Sequence, residues 1–297
     1  MRRCYTVEDM RQWLADNNAY KFGKTKTVGF VPTMGYLHDG HMSLLEQSKQ
    51  DNDLTVLSIF VNPLQFGPSE DFERYPRDEE RDLRLAELCG VDAVFLPSVE
   101  VMYPHKPLTT VRVSAIADVL CGASRPGHFD GVATVVSKLL HIVSPDRAYF
   151  GMKDAQQVAV LTQMTADLNL DTAIVRCPTL REEDGLALSS RNVYLTPEER
   201  DQATVLYASL QTLQQSLKEQ RLSVAQAEQL LAASLREAPL AIIEYAEVRT
   251  FPRFGQPSPH SCMQDIIQQG TTLLAALAVK FGTTRLIDNM VYAPDRE

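Results

Sequence analysis

The segment Val31-Pro32-Thr33-Met34-Gly35-Tyr36-Leu37-His38-Asp39-Gly40-His41 constrains this chain more than any other. The apolar run Val28 to Val31 leads into it and reads as a short strand, and Met42-Ser43-Leu44-Leu45 after it opens a helical pattern. His38-Asp39-Gly40-His41 therefore sits at a strand-to-helix junction. A helix start offers unpaired backbone N–H groups and the positive end of a dipole, which suits an anion. The two histidines are three apart and share one face of the first turn. Gly40 between them leaves no side chain where a flat ligand needs close access to backbone.

The rest of the chain supplies the frame for that junction. Strand candidates at 27–31, 54–60, 92–96, 147–150 and 172–176 alternate with helical patterns near 6–18, 41–51, 78–89, 130–143 and 154–168. This alternation implies an α/β fold, a Rossmann-like, mostly parallel sheet with helices on both faces. The pattern changes near Pro178. Residues 197–217 and 223–236 read as amphipathic helices, and 242–248, 271–279 and 284–290 as strands, with Gln256-Pro257-Ser258-Pro259 a loop between them. The expected division is a first domain over 1–177 and a smaller C-terminal α+β lid domain over 178–297.

Two further clusters have phosphate chemistry. Leu188-Ser189-Ser190-Arg191-Asn192 offers two hydroxyls and a guanidinium to one triphosphate. Phe150-Gly151-Met152-Lys153-Asp154-Ala155-Gln156-Gln157 follows an apolar strand end, with Gly151 freeing a turn and Lys153 supplying a point charge. Alone, the first reads as a polar turn before the helix that Pro197 opens, and the second as an ordinary strand-turn-helix joint. Three such clusters at strand ends are hard to explain so plainly, because ligands collect there in open α/β sheets.

His38-x-Gly40-His41 is the signature of adenylate-forming nucleotidyltransferases, and the Ser189-Ser190-Arg191 loop stands where many of these carry a mobile Lys-Met-Ser-Lys-Ser loop. More specifically, the chain resembles the pantoate–β-alanine ligase family nearly end to end. The matching segments are Pro32 to Gly35 with His38 to His41; Phe60-Val61-Asn62-Pro63-Leu64-Gln65-Phe66; Tyr75-Pro76-Arg77; Arg125-Pro126-Gly127-His128-Phe129 with Gly131 to Val136; Phe150-Gly151 with Lys153-Asp154 and Gln156-Gln157; Arg181-Glu182 with Asp184-Gly185-Leu186; Ser189 to Asn192; and Thr284 to Asn289. Two positions depart from the pattern. Met152 stands where many members carry Glu, and Arg81 precedes Asp82 where some carry two acidic residues.

The resemblance implies condensation of (R)-pantoate with β-alanine, driven by ATP through a pantoyl adenylate, with release of AMP and pyrophosphate. It implies that His38, His41, Lys153, Ser189, Ser190 and Arg191 handle the phosphates, with His41 as catalytic acid. It sets Met34, Gly35, Gly40, Gly151, Asp154, Leu180 and Leu188 around ATP, and Gln65 and Gln157 on pantoate. Val132, Val135 and Val136 serve equally as an apolar wall for pantoate or as core. Asn62 positions His38 or the phosphates, and Asp82 touches Mg²⁺ through water, with phosphate oxygens supplying most metal ligands. The family also implies the same two-domain division and a homodimer built through the first domain, and the position of the Ser189-Ser190-Arg191 loop just past the hinge allows it to close over ATP.

Charge and cysteine usage narrow the class. A net charge of −9 argues against a nucleic-acid surface and a polybasic membrane patch. An aminoacyl-tRNA synthetase shares the nucleotide motif but needs a basic face. Cys4, Cys89, Cys121, Cys177 and Cys262 are scattered, without a Cys-x-x-Cys, which fits a reducing compartment without disulfides or zinc. Cys89 and Cys177 have apolar neighbours and read as buried small hydrophobes. No apolar run approaches a membrane span, and Thr6-Val7-Glu8-Asp9-Met10 after a basic start reads as a helix cap and not a signal segment. The expected location is the cytoplasm. Two rivals remain: a cytidylyl- or adenylyltransferase acting on a phosphate acceptor, and a non-catalytic nucleotide-binding protein. The first calls for an extra basic cluster where Gln65 and Gln157 offer amides, and the second gives no reason to keep His38, His41, Lys153 and Arg191 together.

Overall fold

The computed structural model describes residues 1–294 except Phe22 and Ser69. The elements of its first part are β1 (Arg2–Cys4), α1 (Val7–Asp16), β2 (Val28–Thr33), α2 (Asp39–Asp51), β3 (Leu54–Ile59), α3 (Glu79–Leu88), β4 (Ala93–Phe95), α4 (Val99–Met102), α5 (Cys121–Ser124), α6 (His128–Val143), β5 (Arg147–Gly151), α7 (Ala155–Asp167) and β6 (Ala173–Cys177). Then follow α8 (Pro197–Ala203), α9 (Val205–Glu219), α10 (Val224–Leu235), β7 (Ala241–Thr250), α11 (Met263–Gln268), β8 (Leu273–Phe281) and β9 (Thr284–Tyr292).

By their contacts these residues form two compact units. The first comprises Met1–Asp118, Gly122–Met152 and Val160–Pro178; the second comprises Val119–Cys121, Lys153–Ala159 and the chain from Thr179 onward. The division differs from a simple cut near residue 177 at two short segments. Their attachment has a physical cause within the second unit. The Cys121 thiol lies 3.0 Å from the Tyr245 hydroxyl. The Cys121 N–H donates to Gln156 Oε1 at 3.1 Å, and Asn289 Nδ2 donates to the Lys153 carbonyl at 2.9 Å.

The first unit holds a six-stranded sheet in the order β1-β4-β3-β2-β5-β6, with every pairing parallel. The inner strands β2, β3, β4 and β5 are mostly apolar and buried because both faces are covered. Val31, Leu57 and Val94 pack with Leu44 and Leu45 of α2 and with Leu83 and Ala86 of α3. The alternate residues Phe30, Val56 and Phe95 are fully buried too, on the side to which alternation along a strand directs them. From β2 the chain winds outward through β3 and β4, and the later strands leave β2 in the other direction through β5 and β6. The carboxyl ends of β2 and β5 thus flank the topological switch point of the sheet, where open α/β folds bind ligands. The edge strand β1 departs from the sequence expectation, since two of its three residues are arginines.

The second unit carries an antiparallel sheet, β7-β8-β9. Its inward residues Val248, Ala275, Leu277, Val279 and Phe281 bury with Leu206 and Leu210 of α9 and with Ala227 and Leu231 of α10. The helical pattern over 197–217 is two helices and not one, since α8 ends at Ala203 and α9 starts at Val205. The short α11 falls between the expected loop at 256–259 and the strand at 271–279, where the sequence pattern marks no element.

Among the described residues, no helix is long and apolar enough to cross a membrane. The five cysteines form no disulfide. Cys177 is buried as expected, and burial pushes its thiol up to about 11, whereas Cys89 is half-buried.

Candidate active site

In the first unit, β2 ends at Thr33 and the chain turns before α2 begins at Asp39. That turn is held from below by α3. Asp82 is 1% exposed, and its two carboxylate oxygens accept the Tyr36 and Leu37 N–H groups, each at 2.7 Å. Arg81 donates to the Leu37 carbonyl at 2.7 Å. Gly35 is required here for two reasons. Its φ is +83°, and a Cβ would lie 2.9 Å from both Asp82 Oδ2 and Ile59 Cγ2. The structure thus gives Asp82 a different task from the metal contact expected of it, because both oxygens are buried and engaged by backbone. Burial raises the Asp82 carboxyl above its ordinary range, against the two amides and Arg81, which lower it.

The two histidines then meet. His38 is the extended residue that caps α2, and its carbonyl accepts the His41 N–H at 2.7 Å. The His38 N–H donates to His41 Nδ1 at 3.3 Å. An Nδ1 that accepts leaves the proton of a neutral imidazole on Nε2, so the backbone selects the tautomer of His41. The rings lie 4.0 Å apart between centroids, at the amino end of a thirteen-residue helix. Both histidines are half-buried.

Gln65 lies in the short 3-10 turn Pro63–Gln65 and is buried. Its Nε2 donates to Met34 Sδ at 2.9 Å, and its Oε1 accepts from Asn62 Nδ2 at 3.2 Å. Asn62 is 1% exposed, donates also to the Gly131 carbonyl at 3.1 Å, and accepts from the Tyr103 hydroxyl at 2.9 Å. The sequence reading sets Asn62 on His38 or phosphate; its amide is instead engaged in orienting Gln65. Gly131 permits this packing, since a Cβ there would lie 2.2 Å from the Leu64 carbonyl oxygen. Val132, Val135 and Val136 are buried along α6. Behind Gln65, His128 Nδ1 lies 2.8 Å from the Gln65 carbonyl, and Arg125 contacts His128 at 3.1 Å. Arg125 also forms a bidentate pair with Glu70.

Gly151 closes β5 without a positive φ, and a Cβ there would meet open space. The turn after it therefore does not need glycine, contrary to expectation.

The second unit holds the other expected phosphate groups. Lys153 and Asp154 lie in a 3-10 turn, with Lys153 Nζ 3.6 Å from Asp154 Oδ2. Of the neighbouring glutamines, Gln156 is buried and donates to the Val119 carbonyl at 2.7 Å, while Gln157 is half-buried. Leu180 to Leu188 form a small hairpin, with Arg181 paired to Ala187 and the Leu188 N–H on the Leu180 carbonyl at 3.1 Å. The hairpin leads into the 3-10 turn Ser190–Tyr194, capped by Ser189, whose Oγ accepts the Arg191 N–H at 3.3 Å. Ser190 is buried. Arg181 forms a bidentate pair with Asp288 at 2.6 and 2.9 Å. In the sequence, Asp288 and Asn289 stand out only as part of a motif, with no role attached.

A family model described as pantoate-beta-alanine ligase matches residues 2–291. The chain belongs to this family. Pantothenate synthetase of Caldicellulosiruptor saccharolyticus is 54% identical over 90% of this chain and 92% of its own length. That of Acetivibrio thermocellus is 53% identical over 90% and 92%. A crystal structure of pantothenate synthetase from Thermus thermophilus is 44% identical with a TM-score of 0.87, covering 99% of this chain and 100% of that one. The pantoate–β-alanine ligase of Francisella tularensis, complexed with beta-gamma ATP and β-alanine, is 32% identical with a TM-score of 0.79, covering 98% and 97%. The family's sheet and small antiparallel domain are those described above.

Proposed function

We propose that this chain joins (R)-pantoate to β-alanine, driven by ATP, through a pantoyl adenylate. The observation that carries the reading is the His38–His41 pair, held at the amino end of α2 beside the switch point of the sheet, in a chain of this family.

In the first step a pantoate carboxylate oxygen attacks the α-phosphorus, the bond to the bridging oxygen of pyrophosphate breaks, and pyrophosphate leaves. The protein's part is positioning and charge stabilisation. His41, with its proton on Nε2, donates to the phosphate oxygens as charge develops, and His38 shares that task. Lys153 and Arg191 add positive charge, and Ser189 and Ser190 add hydroxyl donors. Met34, Gly35, Gly40, Gly151, Asp154, Leu180 and Leu188 surround the nucleotide. Open space over Gly151 supports a close backbone approach there. Gln65 and Gln157 bind pantoate through their amides, and Val132, Val135 and Val136 back its dimethyl group. In the second step the amine of β-alanine attacks the acyl carbon, loses a proton, and AMP leaves with the carboxyl oxygen that bound it.

Among the described residues, no three His, Cys, Asp or Glu side chains gather as a metal site. The engaged oxygens of Asp82 do not fit the role either. Mg²⁺ is therefore taken as part of the nucleotide substrate, held by phosphate oxygens and water. In the same reading the enzyme works as a homodimer in the cytoplasm, on small molecules and without nucleic acid.

The test is product identification with ATP, Mg²⁺, pantoate and β-alanine. One AMP and one pyrophosphate should appear per pantothenate. ADP and phosphate as products would overturn the adenylate route.

A further inference from the structure

The pair Asp288-Asn289 on β9 ties together two segments of the second unit that are far apart in sequence. Neighbours on a strand point to opposite faces, so one dipeptide can reach two different places. Asn289, which is buried, donates its side-chain amide to the Lys153 carbonyl at 2.9 Å. Asp288 takes both terminal nitrogens of Arg181 at 2.6 and 2.9 Å, and its Oδ1 also accepts the Asn289 N–H at 2.8 Å. Arg181 in turn donates to the Gly185 carbonyl at 3.1 Å and stacks 3.9 Å over the Tyr207 ring. It thereby spans the hairpin that ends at Leu188, immediately before Ser189.

The backbone of β9 already pairs with β8 from end to end, so neither side chain is needed to form the strand. What the side chains add is a fixed register between the Lys153 turn and the Ser189–Arg191 turn. Lys153 carries its charge on a flexible four-carbon stem, so the position of its ammonium depends on a well-held backbone. A displacement of about 1 Å in a charge-stabilising group is enough to cost a large factor in rate.

We propose that Asp288 and Asn289 are positioning residues for adenylation: Asn289 sets Lys153, and Asp288 with Arg181 sets the turn that carries Ser189, Ser190 and Arg191. This rests on the phosphate roles given to Lys153 and Arg191 above.

The experiment measures pantoate-dependent exchange of labelled pyrophosphate into ATP, together with thermal unfolding, in single and double variants. Asn289→Leu keeps the volume and removes the donor. Asn289→Ser, too short to reach Lys153, serves if the leucine variant fails to fold. Either should lower the maximal exchange rate about tenfold while the KM for pantoate stays within about twofold. Residues acting through one another are non-additive. In a Lys153→Ala background the Asn289 change should therefore cost less than about twofold further. Asp288→Asn should raise the KM for ATP and lose that effect in an Arg191→Ala background. A further loss of about tenfold in the double variants, or wild-type rates in both Asn289 variants, would overturn the inference while leaving the proposed reaction intact. Absence of exchange in the unaltered chain would instead remove the reaction, and this inference with it.

Discussion

The His38 N–H donates to Nδ1 of His41 at 3.3 Å, so the backbone of the helix cap sets which nitrogen of the second histidine carries its proton. This turns a sequence spacing into a chemical preference. An imidazole held this way, when neutral, keeps its proton on Nε2 and can donate from that nitrogen.

His41→Ala should lower the adenylation rate by about 10²-fold or more, on the scale of roughly 3 kcal/mol for loss of one aimed donor. Lys153→Ala should do the same. Pantoate affinity, measured by calorimetry, should change little in both. Near-normal adenylation in either variant would return that residue to a structural role.

Gln65→Ala and Gln157→Ala should weaken pantoate binding and spare ATP. Loss of one partner from a buried hydrogen bond costs about 1–3 kcal/mol, so a rise of roughly tenfold to hundredfold in the pantoate dissociation constant is expected. Separate titrations with ATP and pantoate check this. A variant that loses ATP and keeps pantoate would show that the acceptor pocket is wrongly assigned.

Asp82→Asn replaces one acceptor of the Tyr36 and Leu37 amides with a donor. Leaving a buried N–H unpaired should cost about 1–3 kcal/mol of stability, seen as a lower unfolding midpoint. The Mg²⁺ concentration for half-maximal activity should not move. A large rise in that concentration would restore Asp82 as a metal contact.

Glu70 gives a pH dependence of known sign. Burial works to raise its carboxyl, but the Arg125 hydrogen bonds and charge outweigh it and hold the carboxyl below its ordinary range. A carboxylate depressed in the native state contributes stability above its unfolded value, about 4.3, and loses it as pH falls through the lower native value. Glu70→Gln should therefore be less stable than the unaltered chain at about pH 7 and should lose less on acidification to about pH 3. Urea unfolding across that range measures it, and parallel curves would exclude the pair as a contributor.

Much of the fold can be read directly from residue pattern. The strands β2, β3 and β5 are apolar runs because helices cover both faces, and the Thr6–Asp9 capping box marks α1. The edge strand β1 is hidden because Arg2 and Arg3 resemble a basic tail. The break at Thr204 is hidden because apolar periodicity runs across it. The histidine pair is legible because its parts are contiguous. Asp82 is easily misread because the turn it supports is 45 positions away, and the Asn289–Lys153 bond is invisible because it spans 136. The roles proposed for Gln65 and Gln157 rest on family resemblance, since a glutamine in isolation is seldom more than a solvated amide.

The most direct measurement is exchange of labelled pyrophosphate into ATP with pantoate present and β-alanine absent. Attack at phosphorus and attack at carbon are separate steps, so a bound acyl adenylate must form first and must reverse. The expected result is pantoate-dependent exchange without the amine. Exchange that appears only when β-alanine is added would contradict a discrete adenylate.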